Sequence, residues 1–172
     1  FAESSGDPNA RNPESTATGA GQFIESTWID MISRYRPELA EGRSDSELLA
    51  LRTDPELSRE MVVRYADENS AYLAGQGLTP SAGSIYLAHF LGPEGAATVL
   101  LAKPETPISE LLPDAVIRAN QSVLEGKSAG DVAAPDRLFG RLKIVGDVLI
   151  DYELDHDREP KPSMITLLAI HE

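Results

Sequence analysis

Residues 53–77, TDPELSREMVVRYADENSAYLAGQG, give the plainest structural instruction in the chain. Asp54 can act as an N-cap, its side-chain oxygen accepting from the first free N–H groups of a helix. Pro55 follows at the first turn, where a missing N–H and a fixed φ do no harm. Leu57, Met61, Tyr65, Tyr72 and Leu73 fall close to one face of a 3.6-residue period. Gly75 or Gly77 supplies the stop. The stretch predicts a long helix with one apolar side and points to a mainly α domain.

The same grammar recurs on both sides. Upstream, Ser26 or Thr27 can cap a helix carrying Trp28, Met31, Ile32 and Tyr35, and Pro37 limits it. Ser44 or Asp45 can cap a short helix through SELLAL. Downstream, LTPSAGSIYLAHFLG has Thr79 as a cap, Pro80 at the start and Gly92 at the end. Pro93 opens a further short helix that closes before Pro104. PDAVIRANQSVL reads as another, and SAGDVAAPDRLFG as a helix interrupted by Pro135.

The tail changes period. In LKIVGDVLIDYELDH, residues 144, 146, 148, 150, 152 and 154 alternate with a more polar set, as in a strand. HDREPKP reads as a turn and SMITLLAI as a second strand. The pattern predicts a C-terminal β-hairpin over 142–171, although a helix accommodates the same apolar residues. The organisation expected is therefore a helical domain over 1–127 and a C-terminal extension over 128–172.

Composition bounds the function. The 172 residues are 41% hydrophobic, enough for a packed core, and carry a formal net charge of -13. Phosphate binding needs clustered Lys and Arg, so a nucleic-acid partner is not expected. There is no cysteine, which excludes disulfides and thiolate metal sites. No apolar run is long enough to span a bilayer. The chain begins at Phe and shows no targeting segment, so its location is not legible from one.

The first 28 residues, FAESSGDPNARNPESTATGAGQFIESTW, read as a turn-rich loop leading into a helix. Glu3 stands at its edge. Cleavage of a glycosidic bond needs a proton donor at the leaving oxygen, and a Glu of raised pKa can serve. A second carboxylate usually assists, but the nearest acids, Asp7 and Glu14, lie in turn-like sequence. By itself a Glu in such a position is more often a solvated surface acid.

The ordered string alters that weighting. Glu3-Ser4, Asp7-Pro8-Asn9-Ala10, Asn12-Pro13, Thr18-Gly19-Ala20-Gly21-Gln22-Phe23-Ile24 and Thr27-Trp28 follow one another. Together with IYLAHFLGPEGAATVL further on, the string resembles the soluble lytic transglycosylases, a lysozyme-like family that cleaves bacterial peptidoglycan. Its hallmarks are a Glu-Ser pair, a Gly-x-x-Gln turn with an aromatic or aliphatic residue after it, a following Thr, and an Ala-Tyr-Asn-Ala-Gly-Pro type helix segment. The resemblance spans roughly residues 1–125 in motif order.

By position, the resemblance implies that Glu3 is the catalytic acid. It places Asn12, or Ser15 in a longer loop, where the family has a sugar-holding Ser. It implies that Gln22 hydrogen-bonds the N-acetyl sugar, that Phe23 and Ile24 line the cleft, and that Tyr86 or Phe90 falls near the family's Tyr. It further implies a lysozyme-like fold, no cofactor, peptidoglycan glycan strands as partner, and a periplasmic or cell-envelope location, or alternatively a phage virion. Such enzymes often serve secretion, flagellar or phage assembly. The catalytic Glu of the family ends a core helix, whereas only two residues precede Glu3 here. Two alternatives stand beside the activity: an inactive wall-binding or assembly module on the same fold, and a hydrolytic goose-type lysozyme.

Other features read as structure. His89, His156 and His171 are scattered, so no metal site is expected. DYELDHDRE lacks the glycine-bearing loop of an EF-hand. GPEGAA lacks the Lys and glycine spacing of a phosphate-binding loop and reads as a helix start. Trp28 is expected in the core.

Overall fold

The computed structural model describes residues 8–11 and 15–134. The described chain is mainly helical, with 65% of it in helix and no β-strand. No helix among these residues is long and apolar enough to cross a membrane. The hairpin expected over 142–171 lies outside the described residues.

Among the described residues, nine α-helices follow in order: α1 Glu25–Tyr35, α2 Pro37–Ala40, α3 Asp45–Ala50, α4 Pro55–Gly75, α5 Ala82–Leu91, α6 Pro93–Leu101, α7 Asp114–Ala119, α8 Gln121–Leu124 and α9 Ala129–Val132. Short 3-10 turns occupy Leu51–Thr53 and Ile108–Glu110. Helix α4 forms as its sequence predicts. Asp54 Oδ1 accepts from the N–H groups of Glu56 (2.9 Å) and Leu57 (3.0 Å), and Pro55 is the first helical residue. Of the two candidate stops, Gly77 is the left-handed one, at φ +80°. Leu78 N–H returns to the Leu73 carbonyl (3.1 Å) and Gly77 N–H to Ala74 (3.0 Å), so two carbonyls at the end of the helix are satisfied.

Several boundaries differ from expectation, each for a local reason. Helix α1 begins at Glu25, with Ile24 rather than Ser26 or Thr27 at the N-cap position. Its Glu25 N–H donates to Thr16 Oγ1 (3.3 Å), so a cap nine residues upstream replaces the local one. Helix α5 is capped by Ser81, not Thr79. Ser81 Oγ accepts from Ser84 N–H (3.2 Å) while Ser84 Oγ accepts from Ser81 N–H (2.8 Å). Residues 113–124 make two helices, broken at Asn120, whose side chain donates to the Val116 carbonyl (3.0 Å) and whose backbone leaves helical geometry (φ -127°, ψ 33°).

Two apolar cores result. The first gathers Phe23, Trp28, Met31, Ile32, Leu48, Leu57, Met61 and Val62. Trp28 is completely buried there, and its Nε1–H donates to the Leu48 carbonyl (2.8 Å). The second gathers Leu73, Leu87, Ala88, Ala96, Ala97, Val99, Ile108, Leu112 and Leu124, with Ala129 and Val132 of α9. Residues 104–108 and 127–130 are tied by main-chain bonds, among them Ile108 N–H to Lys127 (2.9 Å) and Ala129 N–H to Thr106 (2.8 Å). The described start of the C-terminal extension thus packs on the helical body. Helix α4 serves both cores: Leu57, Met61 and Val62 enter the first and Leu73 the second. Its 21 residues span about 31 Å.

Candidate functional site

The Gly-x-x-Gln turn sits where the first core meets α5. Its closure is main chain to main chain. Gly19 N–H donates to the Ala10 carbonyl (2.8 Å), Gln22 N–H to Gly19 (3.2 Å), and Thr18 N–H to Phe23 (3.3 Å). Gly19 adopts φ +80°, and a Cβ there would stand 2.1 Å from the Arg52 carbonyl oxygen. Gly21 N–H donates to Ser58 Oγ on α4 (3.1 Å). A Cβ on Gly21 would come within 2.9 Å of the Phe23 ring, Ser58 Oγ and Val62.

Gln22 has φ +48° and is the one non-glycine residue with positive φ among those described. Such a conformation costs on the order of 1–3 kcal/mol and persists where the surroundings over-determine it, often at functional sites. The side chain is part-buried. Its Nε2 donates to the Gly19 carbonyl (2.8 Å) and approaches that of Ala10 (3.4 Å). Both neighbours only accept, which fixes the nitrogen toward them and turns Oε1 the other way. Oε1 is thus the end of the amide left to accept.

An aromatic junction backs the turn. The Phe23 ring lies 5.6 Å from Trp28, 5.9 Å from Tyr65 and 5.7 Å from His89, and Tyr65 and His89 are 5.5 Å apart. Edge contacts of this kind add modestly to the area buried. His89 ties α5 to the turn. Desolvation holds its pKa down to about 4, opposed by a hydrogen bond to the Gly21 backbone. The imidazole is thus neutral at physiological pH. One turn along α4 from Tyr65, Asn69 is buried, and neither Nδ2 nor Oδ1 has a hydrogen-bond partner among the described residues.

The residues singled out from sequence fall in different places. Phe23, read as cleft-lining, is 2% exposed and anchors the first core. Ile24 is 45% exposed beside it. Ser15 is exposed, and its Oγ accepts from Ala17 N–H (3.2 Å). Tyr86 and Phe90 lie one turn apart on α5, both part-buried. Burial raises the Tyr86 hydroxyl pKa, and Phe90 packs against the second core. Glu3 and Asn12 lie outside the described residues. The structure brings Gln22, Phe23 and the α5 segment together through His89, whose part in that contact the sequence did not disclose. Arg52 and Ser58, which also hold the turn, carried no local signal, and Tyr65 was legible only as part of the apolar face of α4.

Among the described residues, no three His, Asp or Glu side chains gather as a metal site would require. No family model matches the chain.

Proposed function

We propose that the chain is a lytic transglycosylase domain of the soluble, lysozyme-like type, cleaving the β-1,4 bond between N-acetylmuramic acid and N-acetylglucosamine to leave 1,6-anhydromuropeptides. The observation that carries the reading is the docking of the Gly19–Phe23 turn against α5, the two segments in which the motif resemblance is concentrated, with Gln22 strained and its Oε1 left as an acceptor. His89, in the segment Ala88-His89-Phe90-Leu91-Gly92-Pro93 of the later motif, contributes to that docking.

In this reading Glu3 first protonates the leaving glycosidic oxygen. The 2-acetamido group of the substrate stabilises the developing positive charge at the anomeric carbon, which removes the need for a second carboxylate. Glu3, now ionised, takes the proton of the sugar's 6-hydroxyl, whose oxygen closes the anhydro ring. Gln22 Oε1 accepts from the acetamido N–H and sets the orientation of the ring. The reaction needs no metal or cofactor. Its polymer is met in the periplasm or cell envelope, or by a phage virion at the cell surface, with a secretion, flagellar or phage assembly as the associated partner.

The test is digestion of purified sacculi followed by mass spectrometry of the soluble products. Anhydro-muropeptides are expected, and Glu3→Gln should reduce their release by about 10²–10⁴-fold. Reducing ends would identify a goose-type hydrolase instead. Retained wall binding without release would identify an inactive binding module.

A further inference from the structure

We propose that Arg52 is a positioning residue, clamping both legs of the Gln22 turn so that the strained glutamine is held ready for substrate. Arg52 sits in the 3-10 turn Leu51–Thr53, and its side chain is only 8% exposed. Its Nη1 donates to the Thr16 carbonyl (2.6 Å) and the Phe23 carbonyl (3.1 Å), one on each side of the turn. Its Nε donates to Leu49 (3.2 Å), which fixes the guanidinium to its own element. Its backbone carbonyl abuts Gly19 at a distance that leaves no room for a Cβ. One residue thus meets the turn with both side chain and main chain.

Ion pairing does not explain this burial. The nearest carboxylate, Glu25, is 3.9 Å away and half exposed, where a pair contributes little. Burial lowers the Arg52 pKa from its usual value, yet a guanidinium stays charged in proteins. Its charge is satisfied by main-chain carbonyls, and charge-assisted bonds to carbonyls are stronger than neutral ones. Nη1 serves the two carbonyls with its two in-plane N–H groups while Nε anchors the same plane to Leu49, and the ammonium of Lys has no second donor nitrogen to make that anchor. With Ser58 holding Gly21 and Ala10 holding Gly19, the clamp supplies the over-determination that the Gln22 backbone requires.

The experiment is amide hydrogen exchange by NMR on the full chain, wild type against Arg52→Lys. Exchange at Thr18, Gly19 and Gln22 should quicken by about tenfold or more, while α4 and α5 amides keep their rates. Unchanged rates at the turn would overturn the proposal. So would an equal rise across α4 and α5, the mark of a general stabilising role. If Arg52→Lys does not fold, the wild-type guanidinium decides. Separate, slowly exchanging Nη1 proton signals with contacts to Thr16 and Phe23 are expected, and one averaged, fast-exchanging signal would overturn the clamp. The link to substrate rests on the transglycosylase reading, under which Arg52→Lys should raise KM for glycan strands about tenfold with kcat little changed. If the wild type releases no muropeptides, that reading fails, and the exchange rates still decide the clamp.

Discussion

The core around Trp28 and the core around α5 and α6 are built from different materials. The first uses large side chains, Trp28, Phe23, Met31 and Met61, and polar pins reach into its margin from Arg52, Ser58 and His89. The second is built from Leu, Ile, Val and Ala, with no aromatic ring among its fully buried members. Ala88, Ala96 and Ala97 let α5 and α6 approach closely. The difference follows from what each core must hold. Two helices joined at Gly92-Pro93 need only complementary surfaces. A turn-rich loop has few apolar side chains and many main-chain polar groups, so it has to be fastened by hydrogen bonds from a rigid frame.

The comparison can be broken most forcefully at Trp28. Trp28→Ala removes the largest side chain of the first core and its bond to Leu48, and should destabilise by about 3–5 kcal/mol. Urea denaturation followed by circular dichroism measures it. A loss below about 1 kcal/mol would mean that the first core does not depend on its large residues.

Acid is the next lever, and it separates the cores by kind. His89 has a folded pKa of about 4 against an ordinary 6.5, so the unfolded chain binds the extra proton between those values. Its contribution to stability is fully present above pH 6.5 and declines as pH falls toward 4, by at most about 1.4 kcal/mol per pH unit, then levels off. Denaturation midpoints of wild type and His89→Phe across pH 4–7 should diverge over that window. Parallel curves would contradict the buried neutral imidazole. The Leu, Ile, Val and Ala side chains gathered in the second core carry no group that titrates in this window.

Overfilling tests the second core. Ala97→Leu inserts bulk where α6 is buried against its neighbours and should cost about 1–3 kcal/mol. The loss should appear in thermal melts while exchange at the Gln22 turn stays unchanged. The smallest effect, about 1 kcal/mol, is expected for Asp54→Ala, which strips two N–H groups of α4 of their cap. Because α4 serves both cores, protection of its slowest amides should fall equally near Met61 and near Leu73. A fall confined to the Met61 end would show that the two halves open separately.

The parts of this architecture that were legible are those whose cause is local. Asp54-Pro55 announced α4, Ser44 announced α3 with Glu47 completing a capping box, and Trp28 was recognisable as core. The parts that were not have a distant or ambiguous cause. Helix α1 takes its cap from Thr16 across the loop, so no reading of residues 24–27 could find it. Ser81 and Ser84 form a reciprocal cap without the Glu or Gln that usually signals one, and Thr79-Pro80 was the more conspicuous candidate. In the site, Gln22 stood out through its spacing from Gly19, and the structure then supplied its strain and the direction of its amide. Arg52 was invisible because a charged residue ahead of a capped helix is ordinarily solvated, and only the fold brings the carbonyls of Thr16 and Phe23 to it.

The contact at Gly19 has a genetic consequence. The obstacle to a side chain there is the Arg52 main-chain oxygen, which belongs to every residue that could occupy position 52. No rotamer can swing aside, and no replacement of the neighbouring side chain can make space. A library randomised at codon 19 and selected for the native turn should therefore return glycine alone. Suppressors of a Gly19→Ala defect should not arise at position 52, but among changes that shift the backbone of residues 51–53 or shorten the loop between Ala10 and Thr18.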